Sequence, residues 1–314
     1  MPLNPYPFKF ATVIYLIMKK LFLFLFILKT SISFGQIKAK VVDANTLLAI
    51  PFVNIWIENT SIGTTTNVNG EFLIDNPIGQ TIVLSSVGYE STKIKITEIQ
   101  PLIKLNARIV ELKEIIISSK KGKTKTVIGK FDDSEISYYY AANNNPEIKA
   151  RFFPFDSLLL KTPFLNKIKF RIYSEIKNAK FNIRLYSGDS TGKPSYNLYE
   201  QNLIGNVKKG VNNLEIDLSN LNIKFPEEGL FVSYEWLIIK ENEYKTSLPI
   251  PNSNKRKEIS LFEPKVGLLP TKNNMNSWTY KNGKWQPEVI FGGNTPEPYL
   301  NNYGILAVEL TLTD

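Results

Sequence analysis

Glu235 stands between Tyr234 and Trp236, an acid set among aromatic residues. A carboxylate in that setting is a candidate for glycoside chemistry, which needs two acids about 5 to 9.5 Å apart across a sugar-sized cleft. No second acid can be paired with it from the sequence. Strand alternation groups Glu235 with Phe231 and Ser233, opposite Val232 and Trp236, and an exposed surface glutamate is the leading reading. Ser-x-x-Lys could make a nucleophile with lysine as base. It occurs at Ser118/Lys121, Ser174/Lys177 and Ser190/Lys193. A pattern that recurs in a lysine-rich chain, and never opens an expected helix, carries little weight. Asp132, Asp133 and Glu135 have oxygen ligands suited to calcium but not the spacing of a known loop, and read as a solvated domain edge. Gly292-Gly293 lacks the Lys-Ser/Thr of a phosphate loop.

The segment Ser277-Trp-Thr-Tyr-Lys-Asn-Gly-Lys-Trp285 is the most suggestive local feature. Asn282-Gly283 predicts a tight two-residue turn. Trp278 and Tyr280, two apart, share a face, and with Trp285 they are the candidate ligand-binding residues. Aromatic rings on a rigid hairpin can stack on sugars or on a partner's apolar surface. They also stabilise sheets as cross-strand pairs, and the hairpin's own packing is the leading explanation.

The chain has no cysteine and no histidine. Disulfides, thiolate chemistry, Cys/His zinc sites and an imidazole base are therefore excluded, as is a lipid-modified N-terminal cysteine. No catalytic residue, metal or cofactor is assigned, and the chain is read as a non-enzyme.

Residues 1–35 read as a signal peptide. Met18-Lys19-Lys20 is a basic start, Leu21 to Leu28 is apolar, and Ser33-Phe34-Gly35 supplies small residues ahead of a cleavage before Gln36. A second apolar patch, Ala11 to Ile17, precedes Met18; a true start at residue 18 is the favoured reading, and a membrane-anchored N-terminus is the alternative. The apolar run is far shorter than the ~20 residues of a membrane helix, so no transmembrane segment is expected after cleavage. Removing 35 of the 314 residues leaves 279 and takes away four lysines and no acid, lowering the net charge from +9 to +5. Five lysines lie in Ser118 to Lys130, so the basicity belongs to an expected linker and no nucleic-acid face is indicated.

The elements behind these residues are strands. Val53, Ile55 and Ile57 alternate with Phe52, Asn54 and Trp56, and Asn69-Gly70 predicts a hairpin between Thr64–Thr66 and Glu71–Ile74. Short strands turning every 8 to 12 residues indicate a sandwich. From Ile148 onward the alternation returns in Ile168/Phe170/Ile172, Phe181/Ile183/Leu185, Leu214/Ile216/Leu218, Leu230/Val232/Tyr234/Trp236 and Leu306/Val308/Leu310/Leu312. No convincing amphipathic helix appears.

The first of these regions resembles the carboxypeptidase-regulatory-like domain, a transthyretin-like β-sandwich common in exported proteins of Gram-negative bacteria. The resemblance rests on Val41-Val-Asp43, Pro51 ahead of Val53-Asn-Ile55, Gly63-Thr-Thr-Thr leading into Asn69-Gly-Glu-Phe72, and Gly88-Tyr89. Ala39 stands where glycine is usual and Asn67 where aspartate is, and Asn makes much the same side-chain turn bond. The resemblance implies export to the periplasm, outer membrane or cell surface. In that family the domain often precedes an outer-membrane receptor, but too few residues follow here for a barrel.

The expected architecture is all-β: a signal peptide (1–35), a transthyretin-like sandwich (36–117), a lysine linker (118–130) and a larger jelly-roll-like sandwich (131–314). The expected role is recognition or scaffolding, with a glycan or an outer-membrane protein as partner classes. A carboxylate-based glycan-active enzyme is the alternative.

Overall fold

The computed structural model describes residues 15, 17–20, 36–60, 62–75, 80–108, 124–143, 145–250, 253–293 and 295–314. Residues 38–74 and 79–314 form one compact unit, while 1–37 and 75–78 group separately. In the latter group Tyr15 and residues 17–20 are helical, and the remainder of the expected leader lies outside the described residues. Among the described residues no helix is long and apolar enough to cross a membrane.

The N-terminal region is built from β1 (Gln36–Asp43), β2 (Asn54–Ile57), β3 (Gly63–Thr65), β4 (Glu71–Asp75), β5 (Thr81–Ser85), β6 (Thr92–Lys95) and β7 (Leu102–Leu105). They form two sheets, ordered β4-β1-β7, with β1 and β7 parallel, and β3-β2-β5-β6. Val41, Ile55, Ile57, Phe72, Ile82, Leu84, Ile103 and Leu105 fill the space between them and are buried.

The expected Asn69-Gly70 hairpin is corrected. The strands on either side, β3 and β4, lie in different sheets, so the turn carries the chain from one layer to the other. Asn67 holds it: its Oδ1 accepts from the amides of Asn69 (2.9 Å) and Glu71 (3.0 Å). This is the side-chain turn bond expected of Asn at that position. Gly70 sits at φ +74° with the Val41 carbonyl 2.5 Å from where a Cβ would be, so no larger residue fits.

The larger region contains β8 (Lys125–Ile128), β9 (Tyr139–Ala142), β10 (Ile148–Phe153), β11 (Phe164–Ser174), β12 (Ala179–Gly188), β13 (Pro194–Asn197), β14 (Leu203–Val207) and β15 (Gly210–Asp217). It continues with β16 (Leu230–Trp236), β17 (Glu243–Pro249), β18 (Arg256–Thr271), β19 (Trp278–Lys281), β20 (Lys284–Pro287), β21 (Tyr303–Leu306) and β22 (Val308–Thr313). One sheet runs β13-β12-β16-β10-β19-β20 with β14 also on β12. The other runs β17-β18-β11-β22-β8, with β9, β15 and β21 joined to it. The apolar positions expected from alternation on β11, β12, β16 and β22 are buried between the two sheets. Phe181 and Tyr234 stack at 4.3 Å, and Phe170 meets Phe181 edge-on at 5.6 Å. The Tyr234 hydroxyl and the Trp236 indole N–H both donate to the Pro264 carbonyl (2.8 and 3.0 Å), so the polar ends of these rings are satisfied.

The lysine-rich boundary divides. Residues 118–123 lie outside the described residues, but Lys125–Ile128 is strand β8, paired antiparallel with β22. The second half of the expected linker is therefore part of a sheet, because Val127 and Ile128 supply strand residues that the lysine count obscures.

Both faces of β2 are buried. Ile55 and Ile57 face the sandwich interior, yet Asn54 and Trp56 on the opposite face are only 4% and 6% exposed. On β16 the off-core residues Phe231, Ser233 and Glu235 are likewise fully buried. The two faces cover each other: Phe52 clusters with Leu237 and Ile239, and Trp56 meets Tyr280 edge-on at 6.1 Å. Thr65 N–H donates to the Ile238 carbonyl (3.3 Å), and Ile238 N–H donates back to the Thr65 hydroxyl (3.0 Å). Replacing Phe170 with Ala in the aromatic centre is expected to cost about 3 to 5 kcal/mol, seen as a lower urea midpoint at unchanged slope.

Candidate functional site

Glu235 is the centre of a buried polar network. The register of β12 against β16 places Asn182 directly opposite Glu235 and Arg184 on the diagonal. Arg184 grips the carboxylate with a fork, Nε to Oε2 and Nη2 to Oε1, each at 2.7 Å. Asn182 Nδ2 donates to Oε2 at 2.7 Å, and Asn54 Nδ2, from β2 in the N-terminal region, donates to Oε1. A carboxylate has about four lone-pair sites, and here four N–H groups occupy them.

The surrounding groups orient these donors. Thr65 donates to Asn54 Oδ1 (3.2 Å), which aims the Asn54 amide at Glu235. Asn182 Oδ1 accepts from Leu203 N–H (3.0 Å) while its Nδ2 also reaches Asn202 Oδ1 (2.9 Å). Burial is the largest single influence on Arg184 and opposes its charge, but Glu235 and Tyr186 together outweigh it and hold the guanidinium pKa above its ordinary value.

The expectation of an exposed surface glutamate is thus overturned, since Glu235 is 0% exposed. The alternation was read correctly, but the face it assigned is covered by β2 and β3 rather than by water. This geometry also removes the carboxylate from glycoside chemistry. A general acid or base must have an open oxygen within reach of substrate, and both oxygens here are taken.

Tyr280 and Trp285 are cross-strand partners on β19 and β20, 5.2 Å apart edge-on, and the turn between them has Asn282 and Gly283 at φ +53° and +77° as expected of Asn-Gly. Trp285 meets Tyr186 edge-on at 5.4 Å, and Trp278 and Trp285 pack on the cluster of Ala150, Tyr186 and Phe231. All three candidate aromatics are half-buried. A Cβ at Gly283 would lie 3.1 Å from the Trp56 indole nitrogen, so the turn seats against the N-terminal region. Burial raises the Tyr280 phenol pKa. Trp278, packed on that same cluster, also donates its indole N–H to Asn276 (3.0 Å) and has Lys193 over its ring at 5.9 Å.

The remaining candidates are separate from this centre. Ser174 donates its hydroxyl to the Ile176 carbonyl (2.8 Å), Ser190 is exposed in a turn, and Ser118 and Lys121 lie outside the described residues. Asp132 caps a short turn, while Asp133 pairs with Arg171 at 2.7 Å. Among the described residues no group of three or more metal-ligating side chains converges, and with no Cys or His there is no zinc-peptidase centre. Sequence reasoning missed Arg184, Asn182 and Asn54. The available clue is the polar pair two apart on β12, Asn182 and Arg184, opposite a face that is apolar from Ala179 to Leu185.

Residues 37–117 match the family model described as CarboxypepD_reg-like domain. The chain carries a CarboxypepD_reg-like domain there. No curated protein matches the chain. Asn54 and Thr65, which complete the network around Glu235, therefore belong to the CarboxypepD_reg-like domain, and the rest of the network to the larger region.

Breaking one member should strand a buried charge. Glu235→Leu or Arg184→Met alone is expected to cost about 3 to 5 kcal/mol, and the double variant to regain most of that loss. Urea denaturation of the three variants measures it. A double variant no better than the worse single would contradict the pairing.

Proposed function

We propose that the protein is an exported, non-catalytic component of a Gram-negative cell envelope, working in recognition or scaffolding. In this reading the CarboxypepD_reg-like domain is a transthyretin-like sandwich and the larger region a sandwich of jelly-roll type. The observation that carries the proposal is the use made of buried ionisable groups. Glu235 and Arg184 pair with each other, Lys149 pairs with Glu288, and Glu147 accepts from the Tyr140 hydroxyl at 3.0 Å. Each is spent on holding sheets together, which suits a rigid frame that presents its loops and edges to a partner.

Support for export comes from the leader pattern and from the setting in which such domains are common. Partner classes remain a glycan or an outer-membrane protein. Trp278 is the aromatic best placed for a glycan, since Tyr280 and Trp285 pack on Trp56 and Tyr186.

Expression of the full chain in a Gram-negative host, followed by fractionation and N-terminal sequencing, tests the address. A mature chain beginning at Gln36 in the periplasmic or outer-membrane fraction is expected. An uncleaved chain in the cytosol would refute it. Affinity electrophoresis in polysaccharide gels tests the glycan branch, with retardation expected to fall at least severalfold in Trp278→Ala.

A further inference from the structure

Arg151, on β10, points with Phe153 toward the interior between the two large sheets. It is 6% exposed and forms no ion pair among the described residues, whereas Arg184 and Arg171 each meet a carboxylate. Its hydrogen bonds run from one nitrogen: Nη1 donates to the carbonyls of Leu306 (3.0 Å) and Val308 (3.1 Å). The Phe153 ring covers one face of the guanidinium at 4.9 Å. Nε is buried with no acceptor. Desolvation without a compensating acid pushes the guanidinium pKa down to about 10. A buried charge left in this state is costly unless an anion meets it.

An open cleft of about 410 Å³ lies against this side chain. Arg151 and Ile305 are its buried lining residues. Leu269, Pro270 and Pro298 supply further apolar wall, and Glu135 and Met275 are exposed at its mouth.

We propose that this cleft binds an organic monocarboxylate with an apolar body, its carboxylate accepting a charge-assisted hydrogen bond from the part of the Arg151 guanidinium that lines it. A guanidinium keeps its charge when buried and forms strong hydrogen bonds to a carboxylate. A single guanidinium matches a single negative charge. Glu135 at the mouth disfavours a dianion such as phosphate, and the apolar walls take a hydrocarbon chain or ring. The site is separate from the Glu235 network and independent of where the protein resides.

Calorimetry on the purified full chain with 3-phenylpropionate, 3-phenylpropionamide and inorganic phosphate tests the assignment. Saturable binding of the acid is expected, with the amide at least about tenfold weaker, because a hydrogen bond to a charged group is lost. Arg151→Met should weaken the acid by at least about tenfold, and Glu135→Gln should tighten it. Should Arg151→Met fail to fold, Leu269→Trp fills the cleft from its half-buried wall. It is expected to abolish binding while leaving the urea midpoint and slope near those of the parent chain. No saturable binding of the acid, equal binding of acid and amide, phosphate binding as tight as the acid, or full binding by Leu269→Trp would each overturn the proposal.

Discussion

The arrangement of the chain depends on how one buried carboxylate is satisfied. Glu235 has no access to water, so its oxygens must find donors within the protein. Three of the four N–H groups come from β12, through Asn182 and Arg184, and the fourth from Asn54 of the CarboxypepD_reg-like domain. A different docking of the two regions would remove the fourth donor and leave the carboxylate incompletely paired. Apolar contacts such as Phe52 with Leu237 and Ile239 tolerate sliding, but a directional network does not. Hydrophobic burial therefore supplies the bulk of the attraction here, and the polar centre penalises wrong alignments.

That constraint shapes what the protein can do. Residues that looked available for chemistry or recognition are enlisted in packing: Glu235 in the network, Tyr280 against Trp56, Trp285 against Tyr186. Lys149, paired with Glu288, also has the Tyr140 ring 4.9 Å from its ammonium group. Arg151 departs from this pattern. Its neighbours are carbonyls and a ring, which orient a guanidinium without neutralising it, and an open cleft lies beside it.

Much of the strand content was legible. The alternation in β11, β12, β16 and β22 identified the core-facing residues because a pleated strand has a repeat of two whatever it packs against. Asn282-Gly283 was legible as a turn because both positions need positive φ. The same logic misassigned Asn69-Gly70 as a hairpin. A local turn sequence specifies a reversal of the chain, but it does not say whether the flanking strands pair with each other or enter different sheets. Lys125–Ile128 was hidden in a lysine run, since an edge strand tolerates charge that a central strand does not.

The residues by themselves determined an all-β chain, its CarboxypepD_reg-like segment, and the exclusion of thiol and imidazole chemistry, because these follow from residue identity and short-range periodicity. Tertiary structure decided which polar faces are dry. Alternation separates the two faces of a strand, but whether the polar face meets water or another sheet depends on contacts between residues as distant as Asn54 and Glu235. Those contacts turned a glutamate read as solvated into the best-satisfied carboxylate of the molecule's interior. They also left Arg151 without a counter-charge among the described residues, since the pairing of a buried ion is a property of the packed neighbours and not of its own strand.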